Sequence, residues 1–456
     1  MRKIADRRIG RGTQMRKVKR FVSLIIAALC LFSLAACTGN KPIPAEESEN
    51  PTEATDITET AAPEETPVPT EEPFVFDPET DVDNRFAKAG SASFLEFADY
   101  DIFQFGYSEG PVYYWDKTTN EVGVLCNKPE CDHTGGDCLG NTANLSALSR
   151  YEGRLYWLSF PYSENGQDYY SVYSMKLDSS DRREEYRFEI EKPGFFPSGM
   201  YVHRGMVFLI SYCSAVENGA PYYEKSVEVM KLGNNERKTV YDIKTTGSAQ
   251  IFVQFRGNNA YILTSKGTDD DALAVYLTKY NIVSDVSVTS EYRIDRPDMW
   301  IGDCYLTQEG ELLIAMFTDY EAYPGGVYRI EENGIEELFA LEDGEYMYDV
   351  FFGDGVVCGI ALLRSNPTAY LLWITDLEGN TIFKGEQPME FRNCLSEASK
   401  TNGRHLLVGS GTSLFIMADE SLQQGGSAVF LVKYDFSSEG LIETDIGSYI
   451  THPLNQ

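Results

Sequence analysis

The sequence predicts an all-β fold: a single β-propeller of seven four-stranded blades, with six or eight blades as the nearest alternatives. Three observations lead to it. Apolar runs at helical period are scarce, short β-type runs bounded by Gly and Asn recur through residues 90–456, and similar runs return about every fifty residues, the length of one propeller blade. Two stacked β-sandwiches are the competing architecture, but they would require no sustained period.

Each predicted blade is a meander of four runs. The second run repeats most clearly, at residues 153–160, 205–212, 259–266, 310–317, 355–362 and 403–410. The third run follows at residues 172–178, 227–233, 275–281, 327–333, 371–379 and 429–435. In the first blade, VYYWDK and EVGVLC are the third and fourth strands. No such sheet can bury both faces alone, so we expect the sheets to stack around an axis. We expect residues 92–98 or the C-terminal GSYITHPL to close the ring.

The N-terminus has the parts of a secretory signal. A basic patch is followed by an apolar run, residues 21–37, which is short for a transmembrane helix. Its end, Leu-Ala-Ala-Cys, resembles the lipobox of bacterial lipoproteins. That resemblance implies that residues 1–36 are removed and that the sulfur of Cys37 carries a diacylglyceryl group; Met15 is an alternative start. The mature protein is then extracytoplasmic, lipid-anchored to the outer face of the bacterial cell membrane.

Residues 37–89 are predicted to be a tether. Proline, threonine and acidic residues dominate, and no basic residue occurs between Lys41 and Arg85. Such a segment buries too little apolar surface to offset its ordering entropy, so we expect it to be disordered and extended. The net charge of −31 excludes a nucleic-acid partner, which would require a basic surface.

The stretch LCNKPECDHTGGDC, residues 125–138, concentrates three cysteines and a histidine. Cys126, Cys131, His133 and Cys138 are the soft and borderline ligands that a tetrahedral zinc ion takes. Because an extracytoplasmic location also permits disulfides, a metal site and a disulfide are equally strong predictions. A closed Cys3His site would be structural, and we expect it to clamp the exit of the first blade.

The lipobox, the acidic tether and the degenerate repeats resemble uncharacterised β-propeller lipoproteins of Gram-positive gut-type bacteria. In those proteins an LC-x-x-PxC-x-H-x(4)-C element often follows the first VYYYDK-like strand, and Cys126, Pro129, Cys131, His133 and Cys138 match it here. The resemblance implies the fold and the location, and it implies no activity.

No hydrolase, P-loop or dinucleotide-binding motif is present. Of the remaining histidines, His203, His405 and His452, each is expected to be a local hydrogen-bonding residue. The run of aspartates 269–271 is expected to be a solvated loop tip. Most of Cys213, Cys304, Cys358 and Cys394 are expected to be small core residues, although in a ring fold one pair of them could meet and form a disulfide. Four tryptophans could form a binding platform, although Trp157 and Trp373 are better explained by packing.

Two functional classes follow. The first is a binding or scaffold module for an extracellular protein, peptide or glycan, held at the membrane by its lipid. The second is an extracellular polysaccharide hydrolase or lyase with its site at the propeller mouth. Converging carboxylates or a histidine with shifted pKa values would favour the enzyme, and an exposed aromatic patch without them would favour binding.

Overall fold

The structure is a computed structural model, and it describes only part of the chain. The described residues are 74–87, 93–104, 109–133, 137–143, 146, 148–190, 195–217, 220–246, 250–267, 273–294, 299–318, 325–332, 334–386, 401–408, 412–421 and 427–451. The predicted signal peptide, Cys37, Cys394, His452 and aspartates 269–271 lie outside them. Within these ranges, no helix has the length and apolar character needed to cross a membrane.

Seven four-stranded antiparallel sheets follow one another along the chain and form the blades of the ring. Blade 1 consists of β1 (Ser93–Glu96), β2 (Tyr100–Gln104), β4 (Tyr113–Asp116) and β5 (Glu121–Val124). Between β2 and β4 the chain forms β3 (Glu109–Pro111), which pairs with β6 (Asn141–Ala143) in a separate two-stranded sheet. Blade 2 contains β7 (Ser149–Tyr151), β8 (Arg154–Leu158), β9 (Tyr162–Glu164), β10 (Gln167–Lys176) and β11 (Arg183–Glu189), with β9 paired only to β10. Blade 3 contains β12 (Phe195–His203), β13 (Met206–Glu217), β14 (Ala220–Lys231) and β15 (Lys238–Thr245).

The remaining four blades have the same up-and-down order. Blade 4 contains β16 (Ile251–Arg256), β17 (Asn259–Gly267), β18 (Leu273–Asn281) and β19 (Val286–Ile294). Blade 5 contains β20 (Met299–Leu306), β21 (Leu312–Thr318), β22 (Gly326–Glu331) and β23 (Gly334–Ala340). Blade 6 contains β24 (Glu345–Gly353), β25 (Val356–Leu363), β26 (Asn366–Asp376) and β27 (Thr381–Glu386). Blade 7 contains β28 (Thr401–Val408), β29 (Ser413–Ser421), β30 (Ser427–Ser437) and β31 (Gly440–Thr451).

The seven-bladed propeller is confirmed, and one strand assignment is corrected. Residues 403–410 were predicted as the second strand of the last blade, but most of them belong to β28, its first strand, and the second strand is β29. The connection from β27 to β28 is long, so the chain between the second strands of blades 6 and 7 exceeds the regular period. A fixed spacing therefore placed this strand too early.

The cores lie between blades. The first strands of successive blades contact one another, which places them nearest the axis, and apolar side chains fill each seam between neighbouring sheets. Trp157 and Trp373 are fully buried in two of these seams, as predicted. In β25, Gly359 leaves the space that the Trp373 ring fills, since a Cβ there would lie 2.0 Å from the ring.

Among the strands that the structure describes, none is exchanged between the first and last blades of the ring. Residues 92–98 were one candidate for closure, but β1 is the first strand of blade 1 itself. Of the other candidate, GSYITHPL, residues 447–451 belong to β31, the last strand of blade 7, and the rest lies outside the described residues. Apolar packing joins the two blades instead. Phe94 lies 4.8 Å from Phe415, ring centre to ring centre, and Leu431 and Ile446 bury the same seam.

Residues 74–87, here called the crossing segment, pack onto one end of the ring. They include a short 3₁₀ turn, Asn84–Phe86, capped by Asp83. This segment falls inside the range predicted as tether, so the ordered body begins before residue 90, the predicted boundary. The end it covers carries the turns between first and second strands of blades 2, 3 and 4, and is called the closed end. The first strands begin at the opposite, open end.

Candidate metal centre

The cysteine-rich loop runs from the end of β5 to β6, where the chain leaves blade 1, as predicted. Backbone hydrogen bonds fix its two ends to one short segment of blade 1. The N–H of Leu125 donates to the carbonyl of Val112 (2.8 Å), and the N–H of Val112 donates to the carbonyl of Gly140 (2.8 Å). Gly140 has no room for a side chain, because a Cβ would lie 2.5 Å from the Leu125 carbonyl oxygen. The N–H of Asn127 donates to Ser179 Oγ (2.8 Å), which attaches the loop to blade 2.

The loop brings all four predicted ligands together. The ligand atoms of Cys126, Cys131, His133 and Cys138 all lie within 4.8 Å of one another. The Cys138 Sγ to His133 Nδ1 distance is 3.6 Å. A tetrahedral ion with Zn–S and Zn–N bonds of ordinary length holds such a pair about 3.6 Å apart. No disulfide joins Cys126, Cys131 or Cys138 in the structure. The arrangement can therefore hold a tetrahedral metal ion.

Backbone amides surround the sulfur atoms. Burial raises the pKa of the Cys126 thiol, but hydrogen bonds from the backbone N–H groups of Lys128, Leu139 and Gly140 outweigh burial and bring this pKa below its usual value. Burial, together with hydrogen bonds to Cys126 and Cys131, raises the pKa of the Cys138 thiol to about 12. Hydrogen bonds from backbone donors orient and stabilise thiolate ligands at metal sites.

Two cationic side chains lie at the loop. The Lys128 ammonium donates to the carbonyl of Asp137 and so spans the loop. The Arg182 guanidinium donates to the Asn141 carbonyl (2.8 Å), stacks over Trp157 and interacts electrostatically with Cys138. Three thiolates and a neutral histidine around a divalent ion leave one net negative charge, which these cations offset.

The centre packs against the seam between the first and last blades. Cys138 is 1% exposed and belongs to the same buried cluster as Phe94 and Phe415, and Cys126 packs against that cluster. On its outer side, Cys126 and His133 line a surface depression of about 630 Å³, which gives an ion a path from solvent. The loop thus lies where blade 1 meets both of its neighbours.

The crossing segment was missed by sequence reasoning. Arg204 at the turn of blade 3 forms a two-point ion pair with the buried Asp81, with distances of 2.5 and 3.2 Å. The amide of Asn84 donates to the carbonyls of Phe255 (2.8 Å) and Leu306 (2.9 Å) and accepts from the N–H of Phe255 (2.8 Å). The capping aspartates in DPETDVDNRF are the one local signal that could have indicated an ordered turn.

Arg85 extends the contacts of this segment to two more blades. Its guanidinium lies 2.8 Å from Glu96 of blade 1 and 3.6 Å from Asp354 of blade 6. The backbone carbonyl of Glu79 accepts a hydrogen bond from the N–H of Glu152 in blade 2 (2.9 Å). The crossing segment therefore contacts blades 1 to 6.

His203 confirms the prediction of a local hydrogen-bonding residue. Its Nδ1 accepts from the N–H of Val82 (3.2 Å), and its Nε2–H donates to the carbonyl of Gly257 (2.7 Å). Burial lowers the pKa of this imidazole to about 4. His405 lies in β28, in a different blade from His203. Cys213, Cys304 and Cys358 are buried, as predicted.

The open end displays exposed aromatic side chains. Phe196, Trp300 and Tyr348 lie near the starts of the first strands of blades 3, 5 and 6 and are 51%, 38% and 46% exposed. Each lies at or beside a β-bulge. Trp300 stacks on Phe317 at 6.4 Å, and Gly302 leaves the space for the Phe317 ring. Phe196 is seven residues from His203, about 23 Å along an extended strand, so these rings are far from the crossing segment.

No family model and no curated protein matches the sequence. Among solved structures, prolyl oligopeptidase B from Galerina marginata is similar at TM-score 0.48 and 12% identity, over 81% of this chain and 53% of its own. The acylaminoacyl peptidase of Pyrococcus horikoshii is similar at TM-score 0.41 and 9% identity, over 81% of this chain and 54% of its own. The β-propeller domain of the Trilobed protease from Pyrococcus furiosus is similar at TM-score 0.39 and 8% identity, over 67% of this chain and 96% of its own. This chain spans about half the length of the two peptidases, and these similarities carry no conclusion about activity.

Proposed function

We propose that the protein is a lipid-anchored extracytoplasmic β-propeller that binds an extracellular glycan, peptide or protein at the open end of its ring. The observation that carries the proposal is the set of exposed aromatic residues at that end, Phe196, Trp300 and Tyr348. Exposed rings on a rigid scaffold provide faces on which sugar rings or peptide side chains stack, and bulges commonly re-aim side chains at such sites.

The titratable groups support binding over catalysis. Asp101 and His203, a buried acid and a buried histidine with strongly shifted pKa values, both lie at the closed end. Burial raises the pKa of Asp101 to about 6 and lowers that of His203 to about 4. Asp101 is paired with Lys117 at 2.7 Å, and His203 with backbone groups. Both are engaged in structural contacts, so neither supports the hydrolase or lyase alternative at the open mouth.

An array of glycans and peptides probed with the full-length mature protein tests the binding function. We expect Trp300→Ala and Tyr348→Ala to weaken the best array ligand by about tenfold or more at unchanged melting temperature, because a stacked aromatic contributes roughly 1–2 kcal/mol or more. Val288→Ala is the matched control, since Val288 is an exposed side chain on the outer strand of blade 4. Ligands that bind the aromatic variants and the wild type equally would refute the assignment of this end.

The anchor has its own test. Cys37→Ser removes the sulfur that would carry the lipid. We expect the wild type to partition into the detergent phase of a membrane extract and the variant into the aqueous phase, because two acyl chains contribute about 0.8 kcal/mol per buried methylene. Equal partitioning of the two would show that Cys37 is not the anchor.

We further propose that the ion at the Cys126–Cys131–His133–Cys138 centre is a structural zinc. Three sulfurs and one imidazole nitrogen match the donors that zinc prefers, and the four protein ligands leave no open position for a reacting water. Elemental analysis with a thiol count tests this directly. One equivalent of zinc with three protected thiols is expected, and a disulfide among these cysteines would overturn it.

A further inference from the structure

The hairpin of β13 and β14 in blade 3 projects beyond the other two strands of the blade at the open end. The first strand, β12, pairs with β13 only as far as Cys213, and β15 pairs with β14 only from Tyr223 onward. Residues 214–217 and 220–222 therefore form a two-stranded extension, and Val216 near its tip is 70% exposed. A ligand that binds at the open end would meet blade 3 at the base of this extension.

A row of side chains crosses the blade at that level. Phe196 of β12 is the register partner of Tyr212 in β13, Tyr212 is the partner of Lys225 in β14, and Lys225 is the partner of Ile243 in β15. Residues directly opposite one another in neighbouring strands point to the same face of a sheet. This face looks toward blade 4, because Ile210, two residues before Tyr212, packs in the seam between blades 3 and 4.

Lys225 is the unusual member of this row. Its side chain is half-buried, and burial lowers the pKa of its ammonium. The ammonium lies 5.7 Å from the centre of the Tyr212 ring. Within the described part of the chain no carboxylate forms an ion pair with it, although the protein has a net charge of −31. A partly buried cation without an anion costs folding free energy, which an anionic ligand would recover.

The acids adjacent to Lys225 in the sheet point away from it. Glu224 precedes it in β14, and Asp242 of β15 is the register partner of Ser226. Side chains alternate between the two faces of a strand, so both acids lie on the opposite face, where they line a cavity together with Phe195. The positive charge of Lys225 is therefore not offset from within its own blade.

Aromatic rings flank the ammonium. The Tyr212 and Tyr223 rings stack with their centres 5.9 Å apart, and Tyr223 lies on the same face as Lys225, two residues earlier in β14. Phe196, two strands away in the row, is 51% exposed. This combination suits a carboxylate joined to a sugar ring, because the ammonium pairs with the acid group and the aromatic faces pack against the C–H groups of the sugar.

The overall charge of the protein limits the kind of anion. With a net charge of −31, the protein repels polymers whose negative charges are closely spaced, such as a sulfated glycan or an acid-rich peptide. One ammonium, moreover, balances one carboxylate. A glycan with one uronic acid in each repeat presents single carboxylates, well separated and each carried on a ring, and it fits both observations.

We propose that Lys225, together with Tyr212, Tyr223 and Phe196, forms a subsite for the carboxylate of a uronic acid in an extracellular glycan. The ammonium pairs with the carboxylate, and the rings pack against the sugar. The inference rests on the binding function proposed above for the open end, since Phe196 belongs to both. It adds the class of ligand, an acidic glycan of low charge density.

Isothermal titration of the full-length mature protein with a tetrasaccharide of alternating glucuronic acid and N-acetylglucosamine tests the proposal. The matched control is the same tetrasaccharide with each carboxyl group reduced to a primary alcohol. We expect the acidic form to bind at least tenfold more tightly, because reduction removes a charge-assisted pair at a half-buried site. The peptide Gly-Glu-Gly-Glu-Gly, which carries the same number of acidic side chains, should bind more weakly than the acidic sugar.

Three results would overturn the subsite. They are equal affinity for the two sugars, tighter binding of the peptide, and no saturable binding of the acidic tetrasaccharide at millimolar concentration. The comparison of the two sugars uses the wild type, so it tests the role of the charge even if a Lys225 variant fails to fold.

Variants locate the binding. Lys225→Met should weaken the acidic tetrasaccharide by tenfold or more without lowering the melting temperature, because it removes a charge that has no ion-pair partner. Lys225→Arg keeps the charge and should retain most of the affinity. Lys231→Met, the same change at an exposed position of the same strand at the closed end, should change the affinity less than twofold. Equal weakening by Lys225→Met and Lys231→Met would refute the site.

Failure of the subsite is distinguishable from failure of the binding function. If Trp300→Ala weakens the best array ligand while Lys225→Met does not, the open end binds that ligand and Lys225 is not part of its site. If neither variant changes the affinity for any ligand, both proposals fall.

Discussion

Two segments outside the blades link neighbouring sheets of the ring, and they do so in opposite ways. The crossing segment distributes ordinary hydrogen bonds and ion pairs over blades 1 to 6. The cysteine loop concentrates four ligand atoms at one point beside the seam of blades 1 and 7. Many separate contacts tolerate the loss of one, whereas four ligands around one ion act as a unit. We therefore expect removal of the ion to have a much larger effect than any single substitution in the crossing segment.

The largest expected effect is that of metal removal. Chelation should lower the free energy of unfolding by on the order of 5–10 kcal/mol, since structural zinc contributes roughly 10–16 kcal/mol in isolated peptides and the blades here retain their own cores. Thermal unfolding with and without chelator measures it. Cys138→Ser should start at the lower stability and show no response to chelator. If chelator does not change the free energy of unfolding of the wild type, the cysteine loop does not stabilise the ring more than the crossing segment does.

Next in size is the loss of the ion pair at the closed end. Asp81→Ala leaves Arg204 without its buried partner and should cost roughly 3–5 kcal/mol. Glu164→Ala is the matched control, because it breaks a pair with Arg187 in which both side chains are about half exposed, and should cost under about 1 kcal/mol. Denaturant unfolding compares the two. Similar costs would mean that the crossing segment contributes little to stability.

The third effect depends on pH. The pKa of His203 is about 4 in the fold and 6.5 when unfolded, so the unfolded state takes up its proton first as pH falls. Stability from this residue is present above pH 6.5 and is lost between pH 6.5 and 4, by roughly 3 kcal/mol in all. Asp101, whose pKa is raised to about 6, acts in the opposite direction over much of this window.

The difference between wild type and His203→Asn isolates the histidine, because Asp101 and the metal ligands titrate in both proteins. Unfolding at a series of pH values should show that the stability of the variant relative to the wild type rises as pH falls from 6.5 to 4. A difference that is constant across this range would contradict the assignment of a neutral, buried His203.

The smallest effect is expected for Asn84. Asn84→Ala removes an amide that bonds blades 4 and 5 through three hydrogen bonds, and should cost about 2 kcal/mol because the backbone groups left behind stay partly buried. Asn234→Ala, which removes one exposed hydrogen bond to the Glu236 N–H in the turn between β14 and β15, should cost less than about 0.5 kcal/mol. Equal melting temperatures for the two variants would show that water replaces the Asn84 contacts.

The sequence predicted the repeating parts of this molecule better than the unique ones. The fifty-residue repeat and the alternation of apolar residues along each strand reflect burial between similar sheets. They therefore predicted the seven blades and the burial of Trp157 and Trp373. The four metal ligands lie within one short loop, and their convergence was predictable for that reason. The second strand of blade 7 was misplaced because a longer connection breaks the period on which the prediction depended.

Long-range polar contacts were not predictable from composition. The crossing segment is acidic and follows a proline-rich stretch, so its composition resembles that of the tether. Its ordered conformation depends on partners such as Arg204 and Phe255, which are more than one hundred residues away in sequence.

The course of the chain at the closed end has a mechanical consequence. The chain reaches the body at Phe74, beside the turn of blade 4, and crosses the ring before it enters β1. A force applied through the chain before Phe74 would therefore load Asp81, Asn84 and Arg85 before β1, and the contacts of these three residues would distribute it over five blades. Without the crossing segment, the same force would act directly on β1 and separate it from β2 one hydrogen bond at a time. The crossing segment therefore shields the first strand of blade 1 from a pull on the preceding chain.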